Sequence, residues 1–540
     1  MKKKTLALIL AALQLTVLLA ACDGGKKPAD TTGSSDTTAP AVEDTTAPAD
    51  TEDLTEAEKR ALIDDELPDD KKFGGRDFII ISTDSRVDMY DVDEQSGVTL
   101  NDAIYARNST VETDYDVKIG FSSYADRHAV RAAIEQAMTS GDVEAFDLVA
   151  YHMVDNAANA VAGHYLNWYE IPYVNFEKPW WSDSNINELT VNGKCFIALG
   201  DLSITAIRNV WCYAFNKQMA ADLQVEDMYQ LVRDGKWTLD KVREISEQVY
   251  GDLNADGMKN EGDRFGLGSY MGSGMNAYLW SFNNPIIKID DTGVPQYTLN
   301  TDRFPDLVTS VIDLYHNTQG VYFCEGADST RHFKLFLNGE VLMVSGSFTT
   351  FTNEGADATF SLGALPYPKY NEEQDDYYTM IDGSGDSMGV SKIESDDDVA
   401  FIGLITEALC AESYKQIWPV YYDSMLKGRY ADMPDDAEMI ELIVNSRIYD
   451  MGYIYDNWKG AGFYMQDLVK ANNTNVASFM ASRWKTAELY YDQVLDLFSE
   501  ERSYPNKRKK TVSLEAVFLH KKMDRKYADY TKFFCCTKIF

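Results

Sequence analysis

The amino-acid sequence predicts an α/β protein with more than one lobe, on two observations. Strand-like runs such as DFIIIS (residues 77–82) and FDLVAY (146–151) alternate with helical patterns, an order typical of a largely parallel sheet covered by helices. The chain has 540 residues, which is more than one hydrophobic core usually holds. We therefore expect two α/β lobes or domains.

The first part of the predicted folded region alternates strands with helices. Its predicted strands are DFIIIS, YDVKIGFS, FDLVAY and CFIALG, at residues 77–82, 115–122, 146–151 and 195–200. Between them, residues 128–141 repeat apolar side chains at helical spacing and end on Gly141, a suitable C-cap. The buried face of this helix would carry Val130, Ala133, Ile134, Ala137 and Met138.

A second α/β pattern follows in the middle of the chain. Residues 237–250 repeat apolar positions at helical spacing after Thr238, whose hydroxyl is a good N-cap. Residues 332–348 predict a helix, a turn and a strand, and residues 358–369 predict a strand that enters a proline-rich turn. Residues 396–416 predict another amphipathic helix, and the chain up to about residue 500 is expected to be helical.

The first 22 residues have the pattern of a secretory signal. Three lysines (residues 2–4) precede an apolar run, Leu6–Ala21, that is too short for a comfortable membrane-spanning helix. The run ends in LAAC (19–22), which resembles a bacterial lipoprotein box, and this resemblance implies that Cys22 becomes the lipidated first residue of the mature chain. The alternative is an ordinary signal peptide with an incidental cysteine.

Two segments of biased composition flank the predicted folded region. Residues 23–72 are rich in Thr, Ala, Asp, Pro, Gly and Ser, and we predict a disordered tether because they cannot bury enough apolar surface to fold. Residues 501–540 are basic, carry adjacent Cys535 and Cys536, and follow an acidic, regular stretch. This tail is either a segment that binds nucleic acid or a surface, or an extension outside the evolved domain, such as out-of-frame sequence, and we favour the extension.

Charge and motif content exclude several classes of protein. A formal net charge of −36 argues against nucleic acid as a partner and against binding to an anionic membrane surface. The sequence has no CxxC motif, no histidine pair at zinc-binding spacing and no P-loop GK[ST] motif. Four isolated cysteines in apolar surroundings are expected to be buried thiols: Cys195, Cys212, Cys324 and Cys410.

The segment GDSMG (385–389) matches the GxSxG pattern of a nucleophile elbow. That chemistry needs Ser387 on a tight strand-to-helix turn and a histidine later in the chain. Here a strand-like VSK follows, and the only later histidine is His520 in the basic tail. We therefore expect no hydrolase site at Ser387.

Residues 252–263, DLNADGMKNEGD, have the spacing of a twelve-residue calcium loop. The oxygen ligands would come from Asp252, Asn254, Asp256, the Met258 carbonyl, Asn260 and Asp263, with Gly257 at the sharp turn. Asp263 stands where most such loops have glutamate, so the site is expected to be weaker. Because the chain has one such loop, we expect a structural ion rather than a calcium sensor. The alternative is a solvated Asp/Asn/Gly turn.

Several landmarks occur in the order found in a known family. They are FDLVAY, KPWW, NGKCFIALGD, WCYAFNK, FLNGEVLMVSGS and LGALPYPK. With these landmarks, the lipobox and the tether, the chain resembles bacterial extracellular solute-binding proteins of the sugar type, which serve ABC importers. The resemblance covers about residues 75–498.

This resemblance implies a two-lobed, periplasmic-binding-protein-like fold of type II, with the ligand in the cleft between the lobes. Lobe one would comprise residues 75–204 and 388–430, and lobe two residues 210–380. The C-terminal helices, 431–500, would pack across both lobes. The strands that cross between the lobes would lie near residues 202–210 and 380–390.

A sugar ligand offers apolar faces to aromatic rings and a rim of hydroxyls to carboxylates and amides. By the resemblance, the cleft would receive side chains from strand ends, from both crossings and from an aromatic position near the C-terminus. The candidates are Tyr151, His152, Asp201, Trp280, Asp382, Asp386 and Trp458. The alternatives are core packing for the aromatic residues, solvated turns for the acids and a structural hydrogen bond for His152.

The hypothesis from the sequence is a monomeric solute-binding protein, anchored by lipid at the extracellular face of the cell membrane. It would capture a carbohydrate, deliver it to ABC permease subunits and perform no catalysis, with Ca²⁺ as a structural cofactor. The alternative is an extracellular carbohydrate-active enzyme.

Overall fold

The computed structural model describes residues 54–92, 94–142, 144–181, 183–290, 292–299, 301–326, 329–425 and 434–499. The signal segment with Cys22, most of the predicted tether and the basic tail lie outside the described residues. The chain divides into two compact units, one ending at Pro68 and one beginning at Asp69.

In the first unit a short helix, α1 (Glu56–Ala61), lies within the region predicted to be a disordered tether. Its N-terminus has a capping box: the Thr55 N–H donates to Glu58 Oε2 (2.9 Å), and the Glu58 N–H donates to Thr55 Oγ1 (3.2 Å). The prediction of disorder is wrong for this stretch, because the reciprocal caps satisfy free N–H groups of the first turn.

The second unit opens with alternating strands and helices, as predicted. In chain order these are β1 (Arg76–Thr83), α2 (Val87–Tyr90), α3 (Thr99–Tyr115), β2 (Val117–Tyr124), α4 (Arg127–Ser140), β3 (Leu148–His152), α5 (Met153–Val161), α6 (Asp183–Leu189) and α7 (Thr205–Arg208). Helix α4 ends at Gly141 with φ 69°, which confirms the predicted glycine C-cap.

The strand predicted at residues 195–200 does not form a regular strand. It pairs with its neighbours through isolated bridges, including one from Ala198 to Met388. Side-chain acceptors take the place of ladder partners here: the Cys195 N–H donates to Asn167 Oδ1 (2.9 Å), and the Leu199 N–H donates to Asn185 Oδ1 (3.2 Å). These asparagines could not be recognised as strand substitutes from the local sequence.

The middle of the chain forms a second α/β set. Its elements are β4 (Trp211–Asn216), α8 (Lys217–Asp222), α9 (Met228–Arg233), α10 (Leu239–Val249), β5 (Phe265–Tyr270), α11 (Ser273–Ser281), β6 (Ile287–Ile289), β7 (Pro295–Tyr297), α12 (Arg303–Ile312), β8 (Val321–Cys324), α13 (Arg331–Leu337), β9 (Val341–Ser347), α14 (Phe348–Glu354) and β10 (Leu362–Leu365). The N-cap predicted at Thr238 is confirmed, since its Oγ1 accepts the N–H of Lys241 (3.3 Å).

The remaining elements return through the first sheet and end in helices. They are β11 (Thr379–Met380), β12 (Asp386–Gly389), α15 (Asp396–Met425), α16 (Pro434–Asn445), β13 (Arg447–Ile448), α17 (Met451–Ile454), α18 (Tyr464–Lys470) and α19 (Val476–Leu495). None of the described helices combines the length and the apolar character needed to cross a membrane.

Two separate sheets confirm the two-lobed α/β prediction. The first has the strand order β12-β3-β1-β2, with β1 parallel to β2 and β3 and with β12 antiparallel to β3. The second has the order β10-β4-β9-β5-β8, with β5 parallel to β8 and β9 and with β4 antiparallel to its neighbours. We call the part built on the first sheet lobe one and the part built on the second sheet lobe two.

Three segments meet where the chain passes between the two sheets. Val210 and Ile381 form an antiparallel bridge, and the Asp382 N–H donates to the Asn209 carbonyl (2.9 Å). Beside them β11 pairs in parallel with β13, so that Met380 lies opposite Ile448. We call these paired segments the hinge, because few backbone hydrogen bonds here connect large bodies on either side.

The C-terminal elements contact both lobes. Helix α15 lies along α3 of lobe one, while α18 packs on α11 and α12 of lobe two. Between these contacts, α17 touches α5 of lobe one and β6 of lobe two. The segment after the hinge therefore contacts elements of both lobes.

Candidate functional site

The carboxyl ends of the parallel strands in lobe one define the candidate site. Strands β1, β2 and β3 end at Thr83, Tyr124 and His152, and Asp386 at the start of β12 lies opposite His152 in the ladder. In open α/β sheets, ligands bind at this edge, because loops there gather side chains from several strands. Lobe two presents the corresponding edge at Tyr270, where β5 ends.

Three ionisable side chains converge beyond the ends of β2 and β3. Arg127 Nη1 lies 2.6 Å from Asp155 Oδ2, and His152 Nδ1 lies 3.0 Å from the same oxygen. Burial would raise the pKa of Asp155, but the contacts with His152 and Arg127 outweigh it and lower that pKa to about 2. The carboxylate is therefore charged at neutral pH and holds both partners at the edge of lobe one.

Trp458 is exposed and stands next to this cluster. Trp458 is 54% exposed. Its indole stacks on Phe463, with the ring centroids 4.6 Å apart and an angle of 12° between the ring planes. The guanidinium carbon of Arg127 lies 5.2 Å from the centroid of the Trp458 ring. A flat apolar ring beside a charged hydrogen-bonding cluster is the combination that a sugar ring fits.

Asp382 lies at the hinge and is held by a residue that sequence reasoning missed. The Trp211 indole N–H donates to Asp382 Oδ2 (3.0 Å), and the Ser384 N–H donates to Asp382 Oδ1 (2.9 Å). Trp211 is half-buried at the first position of β4, directly after the hinge. Its position directly after a predicted crossing is the signal that could have identified it.

Helix α11 approaches Trp211 closely, and this requires a glycine. A Cβ added at Gly274 would lie 2.8 Å from Trp211 Cζ3. The close contact with Gly274 holds the Trp211 indole against lobe two. The hydrogen bond from this indole to Asp382 therefore connects the start of β4 to the second crossing segment.

Asp386, another candidate from the sequence, is buried and fully engaged in lobe one. Its carboxylate accepts from the Tyr90 hydroxyl (2.8 Å) and from Ser203 Oγ (3.3 Å), and it pairs with Arg86 Nε (3.2 Å). The side chain is 1% exposed. Asp386 thus fastens the start of β12 to the helix after β1, and it does not present its oxygens to a ligand in this conformation.

Two aromatic candidates lie in the cores of the lobes. Tyr151 is 0% exposed and accepts a hydrogen bond from Asn159 Nδ2 (2.8 Å). Trp280 is 1% exposed, and its indole N–H donates to Asp450 Oδ2 (2.8 Å). Both have the environment of core residues, in agreement with the core-packing alternative.

Asp201 lies beside helix α15. Its N–H donates to the Trp180 carbonyl (2.9 Å). The preceding residue, Gly200, faces helix α15, and a Cβ there would lie 2.9 Å from Cys410 Sγ. The structure therefore places His152 and Trp458 beside the Arg127–Asp155 pair, Asp382 at the hinge, and Asp201 against α15.

Ser387 has the surroundings of a strand residue. It is 0% exposed, and it lies in β12 opposite Tyr151. Asn156 Nδ2 donates to the Ser387 carbonyl (2.6 Å). The GxSxG pattern thus lies on a strand rather than on the tight turn that exposes a nucleophile.

The predicted calcium loop adopts a compact turn between α10 and β5. Asp252 Oδ2 accepts the Gly257 N–H (2.9 Å), and Asp256 Oδ1 accepts the Met258 N–H (2.8 Å). Gly257 has φ 73°, which permits the sharp turn. Asp263 is 0% exposed, and its Oδ2 accepts from the Asn260 N–H (3.1 Å) and the Tyr250 hydroxyl (3.1 Å).

The loop carries oxygen atoms of the kind that a hard cation binds. Asp263 Oδ1 is buried and has no hydrogen-bond donor, so that one carboxylate oxygen is left for another positive partner. Within the described ranges, no three His, Cys, Asp or Glu side chains converge as a metal site. The loop adds Asn254, Asn260 and the Met258 carbonyl to its carboxylates, and calcium accepts such neutral oxygens.

The fold matches solved two-lobed binding proteins at low sequence identity. The cyclic α-maltosyl-1,6-maltose binding protein from Arthrobacter globiformis superposes with a TM-score of 0.50 and 15% identity, covering 79% of this chain and 98% of that one. Two further structures are the maltose-binding periplasmic protein from Listeria monocytogenes with maltose (TM-score 0.48, 12% identity, coverage 80% and 99%) and the maltose/maltodextrin-binding domain from Bdellovibrio bacteriovorus with maltotriose (0.48, 12%, 78% and 100%). No protein-family model and no curated protein sequence matches the chain. The chain therefore shares the two-lobed fold of the Arthrobacter globiformis protein.

Proposed function

We propose that this protein is a solute-binding protein that captures a carbohydrate between its lobes and delivers it unchanged to the permease of an ABC importer. The observation that carries the proposal is the exposed Trp458 ring beside the Arg127, Asp155 and His152 cluster, at the carboxyl edge of the lobe-one sheet. Support for the ligand class comes from the Arthrobacter globiformis neighbour, which is a cyclic α-maltosyl-1,6-maltose binding protein.

The hinge supplies the mechanism in this proposal. Val210 and Ile381 pair at the crossing, and Trp211 bonds to Asp382 beside them, so lobe movement would concentrate in a few residues. A ligand that touches Trp458 and His152 on one side and lobe two on the other binds the closed state better. It therefore shifts the population toward closure.

The same proposal includes the partners and the place of action. The permease would recognise the closed form, and Cys22 would carry the lipid that holds the protein at the extracellular face of the membrane. The protein would act as a monomer and would not change its ligand chemically.

We also propose that residues 252–263 bind one structural calcium ion. Asp252, Asn254, Asp256, Asn260 and Asp263 would supply side-chain oxygens, and Met258 would supply its carbonyl. The ion would satisfy the buried Asp263 Oδ1 and fix the connection between α10 and β5.

The experiment that tests the binding function is calorimetric titration of the protein with maltotriose and with a panel of other oligosaccharides. We expect one member to bind with one-to-one stoichiometry, to reduce the radius of gyration in small-angle scattering, and to be recovered intact by mass spectrometry. The control variant for Trp458→Ala is Tyr169→Ala, which removes another exposed aromatic side chain (49% exposed). The affinity of the Tyr169→Ala protein for the sugar should equal that of the wild type. Cleavage of the sugar by the wild type would identify an enzyme instead of a binding protein.

A further inference from the structure

The backbone at Trp458 adopts a conformation that residues other than glycine rarely use. Asn457 has φ 44° and Trp458 has φ 60°, so two consecutive residues are in the left-handed region. A bulky aromatic residue persists there only where its surroundings hold it. The question is which group holds this turn.

The carboxyl group of Asp456 lies inside the turn formed by residues 456–462. Its Oδ1 accepts the Gly462 N–H (3.0 Å), and the backbone carbonyl of the same residue accepts the Lys459 N–H (2.9 Å). The residue is 1% exposed. The turn thus closes around one aspartate, which contacts the backbone on both sides of Trp458.

Tyr491 of α19 joins this turn to the rest of the C-terminal region. Its hydroxyl oxygen accepts the Ala461 N–H (2.6 Å) and lies 2.8 Å from the Gly452 carbonyl and 3.2 Å from Asp456 Oδ1. Because Gly452 belongs to α17, one hydroxyl connects the turn to two helices.

The packing inside the turn leaves no space for a side chain at Gly460. A Cβ there would lie 2.2 Å from the Tyr491 hydroxyl oxygen and 2.5 Å from Asp456 Oδ1. The segment YDNWKGAG (455–462) therefore places glycine where the backbone must approach the aspartate.

We propose that Asp456 is the positioning residue for the candidate ligand platform: its carboxyl group holds the 456–462 turn in the shape that keeps the Trp458 ring stacked on Phe463 and beside Arg127. The assignment of Trp458 as the platform rests on the proposed binding function. The positioning of Trp458 by Asp456 does not, and it can be measured without any ligand.

The protonation of Asp456 gives the proposal a second signature. Burial raises the pKa of Asp456 to about 7, although hydrogen bonds such as that from the Gly462 N–H oppose the rise. The ionisable groups around it are the hydroxyls of Tyr453, Tyr490 and Tyr491, with Lys459 Nζ 5.8 Å from the Tyr490 ring. Above neutral pH a buried carboxylate forms beside these tyrosines, and the turn should loosen.

The experiment is acrylamide quenching of tryptophan fluorescence in the ligand-free protein. All nine tryptophans lie in described residues, and Trp458 is the only exposed one, so the difference between the wild type and Trp458→Phe isolates its signal. In Asp456→Ala this signal should shift to longer wavelength and become easier to quench. In Asp456→Asn, whose amide oxygen can still accept the Gly462 N–H, the wild-type signal should be kept without its change around pH 7.

Control variants separate a local effect from unfolding. Asp467→Ala removes a carboxylate from α18, 3.6 Å from Arg483 and outside the turn, and should leave the Trp458 signal unchanged. If Asp456→Ala does not fold, Tyr491→Phe and Gly460→Ala perturb the same turn and should expose the ring. A folded Asp456→Ala protein with wild-type quenching would overturn the proposal, whether or not the wild type binds maltotriose.

Discussion

Arg127 covers one face of the Trp458 ring, with its guanidinium carbon 5.2 Å from the ring centroid. Phe463 stacks on the same indole in a nearly parallel plane, with ring centroids 4.6 Å apart. Arg127 begins α4 of lobe one, whereas Trp458 belongs to the C-terminal segment. A ligand that stacks on the face of Trp458 beneath Arg127 would displace a lobe-one cation that remains attached to Asp155.

Replacing Arg127 by alanine should destabilise the protein while uncovering Trp458. Asp155 is 3% exposed and would lose its 2.6 Å partner, leaving a buried carboxylate with His152 alone. Breaking a fully buried pair costs about 3–5 kcal/mol, and because Arg127 is 23% exposed we expect the free energy of unfolding to fall by about 1–2 kcal/mol. Urea denaturation followed by circular dichroism measures the change.

The matched control for this prediction is Arg131→Ala, one turn further along α4. Arg131 pairs with Glu135 at 3.1 Å on an exposed face, and its removal should cost only about 0.3–0.5 kcal/mol. If the two variants unfold at the same urea concentration, the Arg127–Asp155 contact contributes no more to stability than the exposed Arg131–Glu135 pair.

The protein should be more stable at pH 5 than at pH 8. Burial raises the pKa of Asp456 and that of Glu188 to about 7 each, from ordinary values of 3.8 and 4.5. As the pH rises from about 4 to 7, the unfolded chain ionises both groups while the folded chain keeps their protons, so the free energy of unfolding falls through this window. Each unit of pKa shift corresponds to about 1.4 kcal/mol at most.

Melting temperatures between pH 4.5 and 8.5 check this prediction, and Asp456→Asn should flatten the slope. Asp155 has the opposite effect, because its pKa in the folded protein is lowered to about 2. Its ionised form stabilises the folded state, and this stabilisation is lost only as the pH falls below about 4. A melting temperature that rises steadily to pH 8 would contradict the argument.

Calcium should raise the melting temperature through the 252–263 loop. A ligand that binds only the folded state at 100 times its dissociation constant stabilises by about 2.7 kcal/mol, and chelation by EGTA should remove this. Asp252→Ala with Asp256→Ala should lower the melting temperature and abolish its response to calcium. Asp376→Ala, an exposed aspartate outside the loop, should keep the response. Melting that is indifferent to EGTA in the wild type would rule out the site.

The sequence predicted the periodic elements well and the candidate site only in part. Strand β1 and helix α4 were found because apolar spacing and a glycine cap are local signals. Trp280 and Asp386 could not be separated from exposed candidates, because their partners, Asp450 and Arg86, are 170 and 300 residues away in the chain. Burial of a tryptophan or an aspartate is decided by such distant contacts, which no local pattern contains.

Two tryptophans predicted to contact ligand should respond in opposite ways to mutation. Trp458 is 54% exposed, so Trp458→Ala should leave the free energy of unfolding within about 0.5 kcal/mol of wild type. It should weaken sugar binding by about 2 kcal/mol, which is roughly a 30-fold rise in Kd, because an aromatic anchor is lost. Trp280 is 1% exposed and donates to the buried Asp450, so Trp280→Ala should lower the free energy of unfolding by about 3–5 kcal/mol.

The milder variant Trp280→Phe makes the comparison informative if the alanine variant does not fold. It keeps most of the ring but removes the indole N–H, and the buried Asp450 carboxylate then loses one donor while keeping the Ile286 N–H (2.6 Å) and the Gly452 N–H (2.8 Å). We expect a loss of about 1–3 kcal/mol in urea denaturation and an unchanged Kd in calorimetry. A Kd that rises for Trp280→Phe and not for Trp458→Ala would reverse the assignment and move the ligand from the lobe-one edge to lobe two.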